Sequence, residues 1–200
     1  MLATRNNNHN IKKICRSVAS VLLMAGIAAC SYHQTTEEQD RAARSAAIHW
    51  PQQFTPDSAV VFAHNQIHIE AACPQVWSYL VNATGWPQWY SNAANVHIAG
   101  DDTLLHDNSA FTWDTFGLHV KSRVQEFAVN ERLGWSGNTA DIAAYHTWLL
   151  TPDTKGCEVI TEEVVKGAGA VAMKAKHPDG MHKGHDLWLN SLKKVVEQNQ

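Results

Sequence analysis

The chain has 200 residues, and its eight tryptophans supply large side chains enough for a proper core. Charge divides unevenly: residues 1–29 hold Arg5, Lys12, Lys13 and Arg16 with no acid, while the rest carries twelve basic against nineteen acidic residues. An acidic body argues against a nucleic-acid partner, because phosphate binding needs a basic face, and the length suits one domain with appendages.

The basic start runs into "SVASVLLMAGIAAC", an apolar stretch of signal-peptide length that is short for crossing a bilayer. Its end, Ile27-Ala28-Ala29 before Cys30, resembles a bacterial lipobox. That resemblance implies a lipoprotein signal peptide over 1–29 and acylation of Cys30. Several acyl chains hold a protein on a membrane where one does not. Ser31 stands where an acidic residue would favour the inner membrane. The expected location is therefore the bacterial cell envelope, on the outer membrane facing the periplasm.

From Ser31 to Ala47, "SYHQTTEEQDRAARSAA" is polar and has no hydrophobic stripe, so it reads as a flexible tether. "IHWPQQFTPDSA" follows with two prolines and reads as extended, completing a lipidated and tethering segment over 30–58. "VVFAHNQIHIEA" alternates as a first strand, and "CPQVWSYLVNATGW" opens a helix at Pro74. "WPQWYSNAANV" supplies a second proline start and a short helix. The period then becomes two in "NVHIAG", "SAFTWDTFG", "LHVKSRVQEFAV", "RLGWSG", "AYHTWLLTP" and "CEVITEEVV". Connections this short imply an antiparallel meander. "KGAGAVAMKAKHPD" reads either as a helical flap or as a mobile loop. In the last stretch, capped by Asp179, Met181, His185, Trp188, Leu189, Leu192, Val195 and Val196 share about a third of a helix circumference.

That order, carried by "IHIEAACPQVW", "WPQWY", "RVQEF…ERLGW", "HTWLLTPDTKGCEVITEE" and "WLNSLKKVVE", resembles the SRPBCC superfamily across residues 59–198. This superfamily holds START lipid-transfer domains, the birch-pollen allergen and the polyketide cyclase/dehydrase group. The resemblance implies an α+β helix-grip fold: a curved antiparallel β-sheet wrapped around a long C-terminal helix, with two short helices after the first strand. A cavity between sheet and helix follows if facing side chains do not fill it. Trp86, Trp89 and Tyr90 are then either the lid-side wall of that cleft or its plug. The fold also brings the end of the first strand beside the start of the last, so Cys73 and Cys157 form a disulfide or stay as two buried thiols. Both cysteines depart from the family's usual residues, an alanine-like one and a threonine.

Strand parity turns His146 with Trp148 and Leu150, and Val159 and Thr161 with Glu163, while His185 lies within the stripe of the last helix. His146, Glu163 and His185 are thus candidates for acid/base work or for orienting a polar head group, with a satisfied core histidine as the plain alternative. Arg123 and Glu163 either form a buried pair, structural or binding a polar ligand group, or both lie on the solvated outer face. A one-residue shift of register turns that set outward. His177, His182 and His185 offer metal donors, but Pro178 intervenes and no carboxylate or thiolate completes the set, so no metal and no other cofactor is expected.

The expected function is that of a lipid-anchored envelope protein binding a hydrophobic small molecule or lipid. The expected walls are Trp86, Trp89, Tyr90, Trp113, Trp148, Met181, His185, Trp188 and Leu192. One alternative is a polyketide cyclase/dehydratase-like enzyme using residues in that cavity. Another is a non-catalytic interaction module with a filled core.

Overall fold

A computed structural model describes residues 35–199, so the expected signal peptide, Cys30 and the first tether residues lie outside the described part. In chain order the helices are α1 (Thr36–Ala43), α2 (Cys73–Val81), α3 (Ala168–Lys176) and α4 (Gly180–Gln198). The strands are β1 (Val61–Ile69), β2 (Ala94–Ile98), β3 (Ala110–Thr115), β4 (Leu118–Ala128), β5 (Arg132–Asn138), β6 (Ala143–Pro152) and β7 (Cys157–Lys166). They form one antiparallel sheet in the order β1-β7-β6-β5-β4-β3-β2. The strand periods and the terminal stripe predict the antiparallel strands and the long last helix, and the architecture is the α+β curved sheet around a C-terminal helix that the resemblance implies.

Local chemistry explains the elements near the cavity. Pro74 occupies the first turn of α2, where its missing N–H costs nothing. Helix α2 then buries Val76, Trp77, Leu80 and Val81. Helix α4 buries Met181, His185, Trp188, Leu189, Leu192 and Val196, most of the predicted stripe. Asp179 precedes α4, but its side chain makes no capping hydrogen bond and faces Lys183 at 3.7 Å instead. The stretch after Asn82 is a 3-10 segment, Ala83–Gln88, with Pro87 inside it. The Gly/Ala-rich stretch is helical, as α3.

The expected tether is not one over its described part. Thr35 and Glu38 close a reciprocal capping box at the start of α1. The helix docks by polar groups: Asp40 is buried and accepts from His182 Nδ1 at 3.0 Å, and the Arg41 guanidinium donates to the carbonyls of Pro56 and Ala59. A search for an apolar stripe cannot find a helix whose inward face is Glu37, Asp40 and Arg41. The following segment crosses the outer sheet face, where Phe54 stacks on Tyr145 at 5.8 Å and Trp50 meets Phe62 at 6.2 Å. Strand β6 is therefore buried on both faces over most of its length.

Candidate functional site

Trp188, on α4, is the centre of an aromatic cluster. It stacks on Tyr90 with centroids 4.4 Å apart and planes 11° apart, and meets Trp86 and Trp148 edge-on at 5.2 and 5.1 Å. Trp86 reaches across to Trp113 at 5.3 Å, and its indole N–H donates to the Leu80 carbonyl. Edge-to-face and offset contacts of this kind add to the burial of large apolar surfaces. The "WPQWY" cluster therefore supplies a plug: Trp86 and Tyr90 are fully buried, filling the space between α2, α4 and the sheet.

Beside the plug the packing stops. A cavity of about 60 Å³ lies between the inner sheet face and α4, walled by Trp113, Trp135 and Trp188 and closed at one end by His146, Glu163 and His185. Its mouth is formed by Phe116, Leu118, Ile142, Met173 and Met181. The same five side chains line an outer groove of about 500 Å³ that runs along α3.

Phe116 owes its place to a two-residue hairpin between β3 and β4. Both turn residues have positive φ, 51° at Phe116 and 74° at Gly117, the geometry that matches strand twist. Glycine adopts it freely; a bulky aromatic does so at a cost of roughly 1–3 kcal/mol. The Phe116 N–H is held by Asn92 Oδ1 at 3.0 Å, and the Asn92 amide donates in turn to Tyr90 Oη. The lid is thus tied to the plug.

The polar end has a defined proton arrangement. Thr161 Oγ1 donates to the Thr147 carbonyl at 3.2 Å, so it accepts from His146 Nε2–H at 2.7 Å. Burial, then the proximity of His185, holds the His146 pKa well below the usual imidazole range, and the ring is neutral. Its Nδ1 is consequently a bare acceptor, 3.9 Å from Glu163 Oε2. Glu163 Oε2 accepts from His185 Nε2 at 3.0 Å, which leaves His185 Nδ1 buried with no partner. The indole N–H of Trp188 is likewise buried and unpaired.

These three side chains place donor atoms within 4.8 Å of one another, and the carboxylate missing from the sequence argument arrives from β7. The two imidazoles, however, stack 4.7 Å apart with planes only 14° apart. Their in-plane lone pairs run side by side rather than converge, so the arrangement suits hydrogen bonding better than coordination of a cation.

Of the residues singled out in the sequence, Trp113, His146, Glu163, Met181, His185 and Trp188 line the cavity. Trp86, Tyr90, Trp148 and Leu192 lie in the packed core, and Trp89 is half-buried against Tyr79. Arg123 points outward and donates to the Asn108 carbonyl, away from Glu163. His182 serves Asp40 rather than His185. The reading missed Trp135 and the mouth residues Phe116, Leu118, Ile142 and Met173; an aromatic beside glycine in a tight turn was the signal available for Phe116. Cys73 and Cys157 are joined in a disulfide, with Cα atoms 5.0 Å apart.

Residues 63–197 match the family described as polyketide cyclase / dehydrase and lipid transport. No curated protein matches the chain. Among solved structures, a hypothetical protein from Helicobacter pylori is 30% identical, with 76% of this chain and 98% of that one covered and a TM-score of 0.70. A START superfamily protein from Mycobacterium smegmatis shares the fold at 12% identity, covering 70% of this chain and 99% of its own, with a TM-score of 0.54. So does the di-domain ARO/CYC protein of the steffimycin biosynthetic pathway, at 15% identity over 70% of this chain and 52% of its own, with a TM-score of 0.57. The sheet gripping α4, the match over most of the domain and the Helicobacter relative lead to one assignment: this chain belongs to the polyketide cyclase/dehydrase and lipid transport family.

Proposed function

We propose that the domain binds a small hydrophobic molecule or lipid, with its polar end in the inner cavity and its apolar body in the outer groove. The observation that carries this is the mouth shared by the two spaces, five apolar side chains leading to the His146, Glu163 and His185 end. A family that includes lipid transport supports the reading. The aromatic plug limits the cargo, since only a slender group passes beyond Phe116.

We further propose that the protein acts as a lipoprotein of the bacterial envelope, anchored through acylated Cys30 to the outer membrane and facing the periplasm. The lipobox-like run before Cys30 supports this, and so does the Cys73–Cys157 disulfide, a bond that persists in oxidising compartments. Replacing Cys30 with alanine should move the protein from the membrane to the soluble fraction; an unchanged distribution would count against the anchor.

Native mass spectrometry of the protein from its own host tests the cargo. Extra mass that leaves on denaturation and extracts into organic solvent supports a carrier. A clean mass, with no uptake of an environment-sensitive lipid dye, counts against it. A second reading, a cyclase or dehydratase, is favoured by the bare His146 Nδ1 beside the His185–Glu163 pair, which could take and return a proton. It requires His146→Gln to abolish turnover of a ketide while leaving the fold intact.

A further inference from the structure

We infer that the ligand's polar end is a neutral hydroxyl, neither a carboxylate nor an ammonium; this rests on the cavity being the binding site. Three observations converge on it. First, the hydrogen-bond chain from His146 Nε2 through Thr161 to the Thr147 carbonyl spends the ring's one proton on Thr161. His146 Nδ1 can therefore only accept, and the nearest charged neighbour, Glu163 Oε2, can only accept as well. Glu163 Oε2 already accepts from His185 Nε2 at 3.0 Å, so the acceptor left to be met is His146 Nδ1, which needs a hydrogen-bond donor set against it. Second, a carboxylate head would put another negative charge next to Glu163 in a space walled by tryptophan, where little water screens it. Third, the Trp188 side chain walls the same cavity, and its indole N–H is buried without an acceptor. An ammonium has no lone pair to give it, and its own charge would be stripped of water. A hydroxyl does both jobs at once: it donates to His146 Nδ1 or to Glu163, and its oxygen accepts from Trp188.

The size of the cavity agrees. About 60 Å³ holds a head group and the first atoms of a chain, and the larger groove outside takes the remainder. No bond is made or broken in this proposal, and no ion is required.

The test uses three eight-carbon probes that differ only in the head group, 1-octanol, octanoate and octylammonium. They are titrated calorimetrically into the full-length protein at neutral pH. The expected result is 1-octanol binding at least about tenfold more tightly than either charged probe, the discrimination one unmatched buried polar contact provides. Glu163→Gln should then raise octanoate affinity relative to 1-octanol by several-fold, with 1-octanol binding itself reporting that the variant is folded. If octanoate or octylammonium binds as tightly as 1-octanol, the hydroxyl assignment is overturned while the cavity stands as a ligand site. An unchanged octanol-to-octanoate ratio in Glu163→Gln also overturns it, because the discrimination would then arise elsewhere. If none of the three binds, the cavity is not the binding site and both readings fall.

Discussion

The ring of Phe116 rests on Gly184 so closely that a β-carbon at 184 would overlap it. The tip of the β3–β4 hairpin is thereby seated on α4, and the seat exists because position 184 has no side chain. Gly184→Ala should lift the ring from the mouth without touching the cavity wall. Alanine in a helix interior gains about 1 kcal/mol over glycine, which offsets the lost contact, so the melting temperature should change little. Dissociation of a bound probe, followed by stopped-flow fluorescence, should quicken several-fold. An unaltered rate would mean that Phe116 does not gate the cavity.

His146 gives the protein a defined acid sensitivity. Its folded pKa is depressed by burial and by His185, whereas in the unfolded chain the ring titrates near the ordinary imidazole value of about 6.5. Below that value the unfolded state binds a proton that the folded state refuses. The stability is therefore fully present above about pH 6.5 and lost progressively as pH falls below it, by roughly 1 kcal/mol by about pH 5.5. Urea denaturation at about pH 6.5 and about pH 5.5 should show His146→Gln losing less than the natural protein by about that amount. Equal losses would mean that the ring is protonated in the folded state.

Trp188→Ala should be among the most damaging single changes, costing about 3–5 kcal/mol. It removes the shared partner of Tyr90, Trp86 and Trp148 and merges the new void with the existing cavity. Added indole should restore part of the loss, read as a rise in melting temperature on titration. If indole has no effect, the surrounding side chains have collapsed into the space.

The disulfide closes a loop with a sequence separation of 84. On loop length alone, reduction should cost about 4–5 kcal/mol. The urea midpoint with and without reductant measures it, and the double variant Cys73→Ala, Cys157→Ala should match the reduced protein. A midpoint insensitive to reductant would mean that the bond contributes nothing to stability.

The sheet and its last helix were legible because period-two and period-3.6 patterns report burial directly. Strand parity turned His146 with Trp148 and Leu150, and the α4 stripe held His185, but parity left Glu163 as open to the solvated face as to the inner one. Three things could not be read. Parity says which way Trp148 faces but not whether another ring or a void lies beyond it, so wall and plug looked alike. Helix α1 is held by Asp40, Arg41 and Glu37, ordinary surface residues until a tertiary partner such as His182 or Lys174 is known. The mouth is assembled from a hairpin tip, a loop and two helices, and no local pattern in any of them announces the other three.

The strand order has a consequence for assembly. Every strand but one pairs with a neighbour in sequence, so β2 through β7 can be laid down in turn as the chain emerges. Strand β1 is the exception: among the described residues it has one sheet partner, β7, and Val61 must wait for Val165. Of the strands described, the first made is thus the last paired, a long-range closure of the kind that slows folding. Cys73 follows β1 directly and Cys157 opens β7, so the disulfide records that step once completed. A chain arrested before β7 would leave β1 as an open edge, and oxidation of this pair would be a chemical timestamp for the moment the barrel-like grip shuts.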